Sequence, residues 1–295
     1  MNLIKTLKDI WKIEELKQKI LLTLGLIAVY RFMAAVPLPG IDPLQLASLK
    51  EGTSSGLLGI LNAFTGGAFS RASIMALGIM PYISASIVVQ LMGIAVPYLQ
   101  KLQKDGESGR KKITQITRWL TIAITMFQGP AYITAIKTQF GLPEEAFLVG
   151  GATFWISSMV LLTAGTVFAM WLGERITDKG VGNGISLLIT VGIIANFPGA
   201  FMQELVAKTT NAGAGGTMMI LIEIIVWFVV ILLTVLLVTA VRKIAVQYAR
   251  RTVVGNIQDA AGARQYIPLK LNASGVMPII FAQAIMFVPQ FVAEK

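Results

Sequence analysis

Apolar residues run along this chain in long uncharged blocks. Residues 72–100, 120–136, 146–173, 180–203, 224–241 and 271–293 contain no Asp, Glu, Lys or Arg. A block of about 20 apolar residues crosses the bilayer core as a helix, whereas a helix on a soluble domain keeps a polar face. The pattern predicts seven transmembrane helices, over approximately 20–36, 72–97, 119–136, 152–172, 185–201, 218–241 and 276–292. The first block has the look of a signal-peptide core, but its length and the spans behind it make it a retained helix. Pro37, Pro39 and Gly40 stop it.

One uncharged stretch reads differently. Residues 52–70, GTSSGLLGILNAFTGGAFS, are dense in glycine and hold a single short apolar core over 57–64. Glycine at that density opposes a continuous helix, so the segment predicts a small re-entrant or surface helix. Irregular backbone at membrane depth survives only against protein or a water-filled cavity.

Composition agrees. Apolar residues make up 55% of the 295 and charged residues 14%, against roughly 25% charged in an ordinary soluble domain. The absence of Cys and His removes disulfides, thiolate nucleophiles, imidazole bases, zinc sites and His-ligated haem. No metal, cofactor or catalytic residue is assigned. An intramembrane enzyme would need a catalytic polar pair at depth, and none is found.

The net charge of +10 sits in the short segments between apolar blocks. If residue 1 is cytoplasmic, that side carries 19 of the 25 Lys and Arg and the other side six. This is a strong positive-inside bias. It predicts a cytoplasmic N-terminus, and the odd count of seven helices then puts Lys295 outside. Residues 1–19 place Ile4, Leu7, Ile10 and Trp11 on one helical face among Lys5, Lys8, Lys12 and Lys17, as a surface-lying amphipathic helix does; a frayed basic tail is the plainer alternative.

Ionisable residues inside the blocks are few: Arg31 late in the first and Glu223 early in the sixth. Both lie near the outer boundary, where snorkelling explains them. A coupled solute transporter, the alternative function, would show carboxylates near the midplane. Ile83, Ile87 and Gln90 fall on one face of their helix, and Ile185 and Ile189 repeat the four-residue spacing. Such stripes face lipid or a neighbour, or they meet as an apolar constriction that dewets. The basic inside segments at 100–118, with turn residues Asp105-Gly106, and at 242–270 either enforce topology or dock a soluble partner.

Five stretches carry a resemblance over the whole chain: ALGIMPYISASIVVQL at 76–91, KDGESGRKKITQITR at 104–118, LGERITDKGVGNGISLLI at 172–189, VQYARR at 246–251 and IPLKLNASGVMPIIFA at 267–282. In this order they resemble the SecY family, central subunits of the bacterial Sec protein-translocation channel. The resemblance implies an all-α polytopic helix bundle with a re-entrant plug helix, containing seven of the family's ten transmembrane helices. Residues 1–19 are then an amphipathic cytoplasmic helix. Residues 20–201 form a first half of five helices, with the plug at about 52–70. Residues 202–295 form a partial second half, with helices six and seven and a cytoplasmic loop at 242–270. The family's eighth to tenth helices lie beyond the match.

The same resemblance implies a non-enzymatic channel that passes unfolded polypeptides across, and releases apolar helices into, the bacterial cytoplasmic (inner) membrane. Ile83, Ile87, Ile185, Ile189 and Ile280 match the pore ring. Leu57, Leu58, Ile60, Leu61, Asn62 and Phe64 match the plug, and Ser86, Gln90 and Gln283 the lateral gate. Lys104, Arg110, Lys111, Lys112, Arg242, Lys243, Tyr248, Arg250 and Arg251 match docking surfaces for SecA or the ribosome. Small SecE- and SecG-like subunits and membrane lipids complete the implied partners.

Overall fold

The computed structural model describes residues 11–42, 46, 59, 62–138, 146–210, 216–246 and 265–270. The chain divides into two compact units, Met1–Phe201 and Met202–Lys295.

In the first unit, α1 spans Glu14–Ala35. It starts earlier than its apolar block because Glu14 and Glu15 occupy the first turn, where the helix dipole favours anions. Lys17 and Lys19, expected in a separate surface helix, belong to α1; Trp11 and Lys12 are helical, and Ile13 separates them from it. The expected helix over 72–97 is corrected at both ends. Helix α2 covers Met80–Ala95, with Pro81 in its first turn, a position that wastes no backbone donor. The preceding residues 65–79 are a run of turns. Gly66, Gly67 and Gly78 take positive φ there, a conformation that a helix cannot continue through.

Pro97 ends α2, since a proline removes the bond to the preceding turn. The chain bends by 102° into the short helix α3, Pro97–Lys104. Leu99 and Leu102 of α3 are buried. The stretch read as an inside loop at 100–118 is therefore mostly helical. Its break falls at Asp105-Gly106, where Gly106 has φ +65° and α4 begins.

Helix α4, Gly106–Thr138, carries Pro130 internally. Thr117, Thr121 and Thr125 are buried, four residues apart, and each donates its hydroxyl to the carbonyl four residues earlier at 2.7–2.9 Å. These three hydroxyls are thus satisfied within α4 itself. Helices α5, Gly151–Lys179, and α6, Gly184–Thr210, extend their blocks into charged ends. Asn183 starts α6 by accepting the amides of Ile185 and Ser186 at 3.1 and 3.3 Å, the usual work of a capping side chain.

Two apolar clusters hold the first unit. One joins Phe69, Ala72 and Ala76 of the turn segment to Tyr132, Ile133 and Ile136 of α4 and Phe154 and Leu162 of α5. The other joins Tyr30 of α1, Met75 and Ile79 of the turn segment, Leu172 and Ile176 of α5, and Leu188 of α6.

The second unit holds the end of α6, then α7, Gly216–Thr239, and two strands. The described side chains of α7 are apolar and solvent-facing almost all round, as suits a helix whose partner is lipid. Strands β1, Val241–Val246, and β2, Gln265–Lys270, pair antiparallel in the register Val241↔Lys270 to Val246↔Gln265. The expected cytoplasmic loop thus opens and closes as a β-ribbon, and Pro268 sits opposite Lys243, tolerated because a two-stranded ribbon has only edges. Among the described residues five helices are long and apolar enough to cross a membrane, and six if the bent α2–α3 pair counts as one span. The expected seventh, over 276–292, lies outside the described residues.

Candidate functional site: an apolar cluster and the adjoining turn

Ile83 comes from α2 and Ile185 from the first turn of α6, yet both pack against the cluster of Tyr30, Met75 and Leu188. Ile87, one turn after Ile83, is buried, and Ile189 is half-buried. Two of the helices expected to contribute to a constriction thus each place one isoleucine, Ile83 and Ile185, against the same apolar cluster. Ile280 lies outside the described residues.

The expected plug is described only from its end, at Asn62 and Phe64; Leu57, Leu58, Ile60 and Leu61 lie outside the described residues. Asn62 organises the turn that follows. Its carbonyl accepts the Gly67 amide at 2.8 Å, and its side-chain oxygen accepts the Ser70 amide at 3.0 Å. Thr65 accepts the Phe69 amide at 3.2 Å. Tyr132 of α4 donates to the Phe69 carbonyl at 2.8 Å and meets the Phe69 ring edge-on at 4.9 Å.

Two arginines converge on this turn. Arg71 donates from Nη2 to the Gly66 carbonyl at 2.7 Å and from Nε to the Gly67 carbonyl at 3.0 Å. Arg31 of α1 donates from Nη1 to the same Gly66 oxygen at 3.3 Å. Partial desolvation, and after it the charge of Arg31, draw the Arg71 guanidinium below its ordinary pKa; an arginine this basic stays a cation. Sequence reading assigned Arg31 to snorkelling, and its carbonyl partner is visible only in three dimensions. It missed Arg71 altogether.

At the expected lateral gate, Gln90 donates to the Ser86 hydroxyl at 3.3 Å on an exposed face of α2. Gln283 lies outside the described residues. The expected docking residues that are described lie on α3, α4 and β1. Lys104 ends α3, while Arg110, Lys111 and Lys112 lie in the first turns of α4, with Lys111 paired to Glu107 at 3.0 Å. Glu107, Arg110, Lys111, Thr114, Gln115 and Arg118 line an open groove of about 420 Å³. Arg242 and Lys243 lie on β1; Tyr248, Arg250 and Arg251 lie outside the described residues. Glu223, also assigned to snorkelling, is ion-paired with Lys208, which bonds Glu204 at 3.0 Å as well.

A family model described as SecY matches residues 73–295. The protein translocase subunit SecY of Streptomyces scabiei is 40% identical over 291 residues, which cover 96% of this chain and 65% of that protein. The protein translocase subunit SecY of Escherichia coli (strain K12) is 40% identical over 280 residues, covering 95% of this chain and 62% of that protein. The chain therefore spans somewhat less than two thirds of these relatives. In a solved structure of SecY the plug domain is described as stabilising the closed state of the translocation channel and maintaining a membrane seal. That structure aligns with a TM-score of 0.61 at 18% identity, covering 92% of this chain and 56% of the other. At that identity the likeness is one of fold.

Proposed function

This chain belongs to the SecY family, and from that premise we propose that it supplies the central wall of a protein-conducting channel. It is a multi-pass membrane protein of helical architecture. In our reading the channel passes unfolded polypeptides across the bacterial cytoplasmic membrane and releases apolar helices into its lipid. The N-terminus is cytoplasmic, residues 20–201 and 202–295 act as first and partial second halves, and the chain performs no catalysis. Ile83, Ile87, Ile185, Ile189 and Ile280 form the ring, Leu57–Phe64 the plug core, and Ser86, Gln90 and Gln283 part of the lateral exit. SecE- and SecG-like subunits flank it, and SecA or a ribosome docks on Lys104, Arg110, Lys111, Lys112, Arg242, Lys243, Tyr248, Arg250 and Arg251.

The observation that carries this reading is the approach of Ile83 on α2 and Ile185 on α6 to one apolar cluster. Branched apolar side chains from separate helices make a deformable seal that excludes water and offers no charge to hold a passing chain. Polar substitution tests it. Ile87→Asn or Ile189→Asn in the assembled channel should hydrate the constriction and raise ion leak. A stripe facing lipid would lose insertion efficiency and leave permeability unchanged.

A further inference from the structure

The stripe that carries Ile185 and Ile189 continues along α6 to Gly192 and Asn196, at spacings of four, seven and eleven residues from Ile185. These four positions lie within a narrow arc of one helical face. Gly192 is buried, and what buries it is the turn that ends the plug segment. A Cβ on Gly192 would stand 2.8 Å from the Phe64 carbonyl oxygen and 3.4 Å from the Gly66 amide nitrogen. In the other direction, a Cβ on Gly66 would stand 2.9 Å from the Gly192 Cα and 3.0 Å from its carbonyl oxygen. These neighbours are backbone atoms, which cannot swing aside as a side chain does; at Gly66 the Arg31 guanidinium lies nearer still. A Cβ on Gly67 would stand 3.3 Å from Oδ1 of Asn196. Gly66 and Gly67 have φ of +65° and +81°, so the turn is left-handed where it touches α6.

We propose that Gly192 is a positioning residue of the closed channel: its missing side chain is the seat on which the turn at 64–67 rests. Arg31 and Arg71 hold the Gly66 carbonyl, so the turn is fixed on two sides, by guanidinium donors and by the bare face of α6. The inference rests on the channel reading above. Gly192 shares its face with Ile185 and Ile189, so the face that supplies two ring isoleucines also sets where the turn stops. A methyl group at 192 lifts the turn and weakens the closed state without touching any ring side chain.

The test uses the assembled membrane complex and two readouts. Because the chain has no native Cys, Phe64→Cys with Asn196→Cys reports the seating of the turn through a short thiol crosslinker. Ion leak in proteoliposomes reports the closed state. Gly192→Ala places a better helix former in α6, so assembly is retained. It should lower crosslinking and raise leak about tenfold, an equivalent of about 1.4 kcal/mol. Arg31→Gln, which leaves α6 unaltered, should shift both readouts in the same direction by a smaller factor. Unchanged crosslinking in Gly192→Ala overturns the seat. Reduced crosslinking with no added leak, in an assay where Ile189→Asn does leak, overturns the closing role. If neither Gly192→Ala nor Ile189→Asn leaks, the channel reading falls and the inference falls with it.

Discussion

Arg118 of α4 grips Glu174 of α5 with two parallel hydrogen bonds, Nε to Oε1 at 3.1 Å and Nη2 to Oε2 at 2.5 Å. The fork geometry is the strongest form of a guanidinium–carboxylate contact. It ties together two helices whose buried faces are otherwise apolar or hydroxyl-bearing. Half-exposure of Arg118 limits its worth. Arg118→Ala should therefore cost about 1 kcal/mol, and a double-mutant cycle with Glu174→Gln should recover most of that as coupling. Additive single effects in thermal unfolding would show that the contact holds nothing.

The Lys208–Glu223 pair joins the end of α6 to α7. Glu223 is the one carboxylate on a helix that otherwise presents apolar side chains to lipid. An unpaired ion there is expensive. Lys208→Met should lower Tm by roughly 2–4 °C, the shift about 1 kcal/mol produces in a chain of this size class. Adding Glu223→Gln should restore most of it, because the one charge then left without its lysine is the exposed Glu204. A double variant that melts lower than Lys208→Met would contradict pairing.

Orientation rests on the 19-to-6 distribution of Lys and Arg. Without native Cys, labelling reports the single introduced site. Glu107→Cys should react with a membrane-impermeant thiol reagent only after the cytoplasmic face is opened, and Gly150→Cys should react in intact cells. The reverse pattern would invert the topology.

Most helices were legible because lipid imposes one rule, an uncharged run of sufficient length. That rule located the starts of α5, α6 and α7 and the end of α7 to within two residues, while α5 and α6 run on past their expected ends into charged segments. It failed at residues 72–79, where Gly78 and the turns before it stay uncharged but are not helical; hydropathy sees transfer energy and not φ. It failed again at 97–104, where charge suggested a loop and Leu99 and Leu102 bury one face of α3. The ring candidates could be found from helical spacing. Gly192 lay on the same stripe, three residues beyond Ile189, but a residue with no side chain gives no pattern to read. Its role depends on the turn that fills the space.

The cationic face of α4 offers a separate test. Arg110→Glu with Lys112→Glu reverses charge beside the groove lined by Arg110, Lys111 and Arg118. Binding of SecA or ribosomes to the membrane complex should weaken by roughly tenfold at low salt, and the difference should shrink as salt screens it. A gap that stays constant across a salt series would refute an electrostatic contribution.

Tyr132 gives the sharpest test of how the turn is anchored. Its hydroxyl reaches the Phe69 carbonyl, and its ring packs edge-on against Phe69 inside the cluster of Ala72, Ile133 and Phe154. The phenol and the ring therefore act on the same residue by different physics. Tyr132→Phe removes the donor and keeps the ring, leaving the Phe69 carbonyl to the Ala72 amide, which it accepts at 3.2 Å. Losing the one hydrogen bond costs about 0.5–1.5 kcal/mol. Tyr132→Leu also removes the edge-to-face contact, worth about 0.5–1.5 kcal/mol beyond burial. Both variants should lower the unfolding midpoint, Tyr132→Leu more, and hydrogen exchange at the Ser73 and Ile74 amides should quicken in the same order. These amides bond to Ala68 and Val36, so they report the turn segment directly. Equal stability of Tyr132→Phe and the parent would mean that the contacts of Asn62, Thr65, Arg31 and Arg71 hold the turn, with the α4 hydroxyl contributing nothing.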